Sequence, residues 1–117
     1  MNQEKLINLN DVLHEKETAL VGRENGEETL TKLIKKGNNL EEIENHFNQI
    51  IIKIPERIVS MNKSYFLGLF ELSVERLGKE GFENKYIFQT SDYIKGKIKT
   101  HINAACLKAS QGDILDV

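Results

Sequence analysis

Apolar and polar positions recur along the chain with enough regularity to divide it into elements. Lys5 to Leu9 sets Leu6 and Asn8 against Ile7 and Leu9, then runs into Asn10-Asp11, a turn-prone pair, which predicts a first strand. Residues 11–25 follow no clear period, although Leu20-Val21 suits a short extended piece. Leu30, Leu33 and Ile34 then form one helical stripe. Asn25 is its predicted N-cap, answered by Glu28 as in a capping box, and Gly37 is the stop. Asn39 and Glu42 repeat the capping signal ahead of Leu40, Ile43 and Phe47, which predicts a second, short helix.

Ile50 to Ile54 is apolar at nearly every position, as in a central strand covered on both faces, and Pro55 should weaken pairing where it ends. Ile58 and Val59 are expected to anchor a crossover. From residue 63, Tyr65, Phe66, Leu67, Leu69, Phe70, Val74 and Leu77 recur at helical spacing, with Phe66, Phe70, Val74 and Leu77 innermost. Gly78 fits the end of that helix and Gly81 the turn back. Lys85 to Gln89 has the aromatic and β-branched content of a further strand. Thr90 or Ser91 then caps a last helix with Ile94, Ile98, Ile102, Ala105, Cys106 and Ala109 in one stripe and small residues at 104, 105 and 109. The predicted order β-α-α-β-α-β-α describes a single α/β domain over residues 1–117, with a small mixed or mostly parallel sheet and helical crossovers.

Charge adds little direction. Sixteen basic residues against eighteen acidic leave a formal charge of −2, so no bulk field recruits nucleic acid or an anionic membrane. Cys106 stands alone, which excludes an intramolecular disulfide and a zinc site built on several cysteines. The first residues lack a basic and then apolar leader, and no apolar run approaches a membrane span. Together these give an expected place in the reducing cytoplasm.

Chemistry concentrates at one point. Ser60-Met61-Asn62-Lys63-Ser64 stands where a buried strand is expected to feed a helix, and such a junction offers backbone N–H groups and the positive end of the helix dipole. A phosphoserine at Ser64 would gain from those donors and from Lys63, whereas the plain alternative is an N-cap. The glycines of a phosphate-binding loop are missing. His14, His46 and His101 lack metal-ligand spacing, with His46 four residues after Glu42 in a surface pair and His101 expected on the wet side of the last helix. Cys106 falls in an apolar stripe, and no nucleophile elbow or triad order is present, so no catalytic residue, metal or cofactor is expected. Lys95, Lys97, Lys99 and Lys108 make the last helix basic, which keeps a nucleic-acid-binding or phage- or defence-associated blocking protein as the alternative reading.

The stretch from Met61 to Phe88 resembles the STAS-like domain family, relatives of the STAS domains of anti-sigma-factor antagonists. The resemblance rests on the apolar strand Ile50 to Ile54, the helix start Ser64-Tyr65-Phe66-Leu67, Phe70 one turn later, and Leu77-Gly78 at the helix end. Phe82 to Phe88 ahead of the last helix and Arg23-Glu24 with Gly26-Glu27 upstream extend it over residues 22–107. It implies a four-strand or similar mixed sheet with helices packed against it, and no catalytic activity. It also implies a protein partner, in some relatives an ATPase-type kinase that phosphorylates the antagonist's serine, or an anti-sigma-like regulator. By position that serine is Ser64. Regulatory relatives usually carry an aspartate just before it, where this chain has Lys63, so the resemblance implies a partner face more directly than a phosphorylation switch. The expected face is Asn62, Lys63, Ser64, Tyr65 and Gly68, with Arg57 beside them.

Overall fold

The computed structural model describes the backbone of residues 3–115 and the side chains of residues 3–107. In chain order it contains β1 (Glu4–Asn8), a 3-10 turn (Leu9–Asp11), β2 (Ala19–Leu20), α1 (Arg23–Lys35), α2 (Leu40–His46), β3 (Gln49–Lys53), β4 (Ser60–Met61), α3 (Lys63–Lys85), β5 (Tyr86–Gln89) and α4 (Asp92–Leu115). The predicted order therefore holds, with two short strands added. β1, β3 and β5 form one sheet in that order, all parallel, and β2 pairs with β4, also in parallel.

The sheet has two unlike faces. Ile7, Ile50, Ile52 and Tyr86 point into the core and are at most 4% exposed. On the other face Leu6, Ile51 and Ile87 stand in one row across the three strands. Leu6 is 57% exposed, Ile87 39%, and Ile51 half-buried. The expectation that β3 is covered on both sides is thus incorrect. Topology supplies the reason: the connections β1 to β3 and β3 to β5 step across the sheet in the same direction. Crossovers of one hand then place their helices on the same side.

Helix α1 starts earlier than Asn25. Gly22 is its N-cap, and the Asn25 side chain instead donates to the Val21 carbonyl at 2.7 Å. Ile34, expected in the inner stripe, is exposed, while Leu33 is buried. α2 starts as predicted, with the Asn39 side chain accepting from the Glu42 N–H. α3 changes direction at Gly78 (φ 74°, ψ 169°), so the predicted end is a kink. A second helical piece follows it and contains Gly81, the expected turn residue. Its Phe82 completes an aromatic cluster with Phe66, Phe70, Tyr86 and Phe88, the neighbouring ring centres lying 4.5 to 6.3 Å apart. Within the described side chains α4 buries its predicted stripe, Ile94, Ile98, Ile102 and Ala105, with Cys106 half-buried; Ala109 lies outside them.

The tightest packing joins α1 to α3. A methyl group added at Gly26 would sit 2.2 Å from the Tyr65 carbonyl oxygen, and one at Gly68 would sit 2.2 Å from the Arg23 carbonyl oxygen. Both obstacles are backbone, which cannot swing aside. Two glycines in helix interiors cost propensity, and here they let two helices cross at backbone distance.

Candidate functional site

The region singled out from the sequence is built from two strand-to-helix junctions held side by side. β2 leads into α1 and β4 leads into α3, and the strands are paired in register, Ala19 with Ser60 and Leu20 with Met61. Asn62 locks the two junctions together. Its side-chain oxygen accepts from the Tyr65 N–H at 2.9 Å, capping α3, and from the Gly22 N–H at 3.2 Å, while its own N–H donates to the Leu20 carbonyl. Lys63 and Ser64 are then the first two residues of α3, and both are exposed. Their N–H groups have no intrahelical acceptor, as at any helix start. The Ser64 hydroxyl therefore stands at the positive end of α3, directly after a short strand.

The other expected contact residues fall elsewhere. Tyr65 is fully buried, its hydroxyl hydrogen-bonded to Thr29, and burial pushes its pKa up to about 12. Gly68 is buried in the crossing with α1. Neither can touch a partner, so both leave the expected face. Arg57 donates through Nε to the Glu17 carbonyl at 3.0 Å, through one terminal nitrogen to the His14 carbonyl at 2.7 Å, and through the other to Asn10. Its guanidinium holds the irregular segment after β1. Of the six, Lys63 and Ser64 present free-standing surface, with the exposed edge of Asn62 beside them. Sequence reasoning passed over Val21, 49% exposed, and Arg23, which pairs with Glu71 at 2.8 Å, both at the adjoining head of α1. The available signal was Gly26 and Gly68, mid-helix glycines that require a close neighbour.

Elsewhere the arrangement is structural. His101, expected in solvent, is buried: its Nε2 is 2.9 Å from the Met61 carbonyl and its ring lies beside Phe66. The reason is helix phase, since position 101 shares a side with Ile94 and Ile98. His46 turns its ring to the Glu42 carbonyl. The Glu44 carboxylate is buried, accepting from Arg76 at 2.8 and 3.2 Å and from the Tyr86 hydroxyl at 2.6 Å. Burial, with Glu44 adding to it, drives the Tyr86 hydroxyl well above its ordinary pKa. Arg76 also donates to Ser73, so this buried charge is matched on several sides. It pins α2 to α3 and β5, with Lys85 donating to the Glu44 and Phe47 carbonyls.

On α4, Lys95 and Lys99 flank a groove that also holds Glu83, whereas Lys97 lies over the Tyr93 ring at 5.5 Å. At about 100° per residue these lysines fall on two sides of the helix. The side chain of Lys108 lies outside the described residues. A cavity of about 530 Å³ opens at the carboxyl ends of β3 and β5 between Lys53, Glu56, Gln89 and Ser91, all of them exposed. Among the described residues no group of three or more His, Cys, Asp or Glu side chains could hold a metal ion. Nor, among the described residues, is any helix long and apolar enough to cross a membrane. No family model, curated protein or solved structure matches the chain.

Proposed function

We propose that this chain is a non-enzymatic regulatory interaction module of the STAS-like kind, which binds a partner protein through the head of α3. The observation that carries the reading is Ser64. It is exposed at the second position of a helix whose first turn is rigidly capped by Asn62 and braced by the head of α1. Lys63 beside it and Val21 across the junction give the face one cation and one apolar contact. A serine so placed gives a partner a hydroxyl and two backbone donors on a scaffold that does not have to reorganise. The same position suits regulation: a phosphate there would lie against the helix dipole and Lys63, stabilising the helix while reversing the local charge. An ATPase-type kinase or an anti-sigma-like regulator fits this chemistry.

The test is affinity capture from the native cell with wild-type, Ser64→Ala and Ser64→Asp baits, followed by titration of the captured protein. Ser64→Asp is expected to abolish binding with no loss of melting temperature, and Ser64→Ala to weaken it. A captured partner that binds Ser64→Asp with unchanged affinity removes the head of α3 from consideration. The alternative, nucleic-acid binding by α4, predicts binding that falls steeply with salt and weakens in Lys97→Glu and Lys99→Glu.

A further inference from the structure

We infer that the bare face of the β1-β3-β5 sheet is a docking surface for a second copy of this chain. Parallel sheets are as a rule covered on both faces. Here the described elements leave one face open, and its centre is apolar. Leu6, Ile51 and Ile87 form an unbroken row across all three strands. Alternation places Glu4 on that face at one end, and Lys53 with Gln89 at the other, and all three are exposed. Glu4 and Lys53 therefore give the face one charge of each sign, at opposite ends. Such a balance offers nothing to a polyanion or an anionic membrane.

It does suit an inverted copy of itself. A two-fold axis lying between two such sheets and running across the strands sets each apolar row against its counterpart. The same axis brings the Glu4 end of one protomer over the Lys53 end of the other. The alternative axis, along the strands, would set Lys53 against Lys53 and is disfavoured. The contact is closed and isologous, so association stops at the dimer. Three strands of about five residues span roughly 14 Å by 17 Å at the usual spacings. That footprint is far below the about 800 Å² per partner of a standard stable interface, so the dimer should be weak and concentration-dependent. This surface is separate from the head of α3 and does not depend on the reading given for it.

Sedimentation equilibrium of the full chain over a wide concentration range at low salt tests the proposal. Wild type is expected to shift from monomer towards dimer as concentration rises. Leu6→Glu is expected to weaken association at least about tenfold while the melting temperature stays within a few degrees, because Leu6 lies on an edge strand and is already mostly exposed. Lys53→Glu alone should weaken it severalfold, and the double variant Glu4→Lys with Lys53→Glu should restore it. A chain that stays monomeric throughout overturns the proposal, as does a dimer indifferent to Leu6→Glu. Failure of the double variant to recover overturns the inverted arrangement. Leu6→Glu leaves capture through Ser64 unchanged if the two surfaces are independent, so either reading can fail alone.

Discussion

The two faces of the central sheet carry similar residues and have opposite fates. On β3, Ile50 and Ile52 are fully buried beneath helices, while Ile51 between them is only half-covered and lies in a row with two exposed neighbours. Residue type does not distinguish them. The difference comes from connection: each crossover advances in the same direction and lays its helix on the same side. A doubly wound sheet reverses direction once and so covers both faces; this one does not reverse. The packed face is where stability resides, and the bare face is left available for association.

Variants on the packed face should produce the largest effects. Phe66→Ala empties the centre of the aromatic cluster and is expected to cost about 3–5 kcal/mol, read from chemical denaturation. A melt that hardly moves would mean the cluster does not hold the core together. Next comes Gly68→Ala, which places a methyl group against the Arg23 carbonyl and is expected to cost about 3 kcal/mol or more by forcing α1 from α3. If the variant is as stable as wild type, the helices do not cross at backbone distance.

A smaller effect is reached through pH. Tyr65 is pushed up to about 12 by burial, from an ordinary value of 10.0. Its folded form thus holds the proton more tightly than the unfolded chain. The corresponding stability is fully present below pH 10 and is lost as pH rises from 10 towards 12, by about 2 kcal/mol. Tyr86 is raised in the same direction by burial and by Glu44, so it adds to the fall. Tyr65→Phe should flatten part of that decline in a series of urea melts. A decline equally steep in the variant would assign the effect to other groups. On the bare face the corresponding substitutions should leave stability nearly unchanged and alter association alone.

Much of this architecture was legible because local patterns and tertiary needs agreed. The strand at β3, the cap at Asn39, the stripe Phe66, Phe70 and Val74, and the break at Gly78 are each written in a short window of residues. Errors arose where the deciding partner was distant in sequence. Asn25 has capping chemistry, yet Asn62 holds the Gly22 N–H and the helix begins at Arg23. His101 looks solvent-facing beside lysines, yet β4 brings the Met61 carbonyl to its ring. In the candidate site, the exposure of Ser64 followed from its place at a helix start. The burial of Tyr65 and Gly68 did not, because both are hidden by α1, some forty residues upstream.

The sequence by itself determined the helices, the three strands of the central sheet, their order and the position of the exposed serine, because periodicity and capping act over a few residues. Only the tertiary structure decided which glycines hold helices together, which ionisable groups are buried, and that the sheet is clothed on one side. Those depend on the direction in which each connection crosses the sheet, and no local pattern of residues encodes that direction.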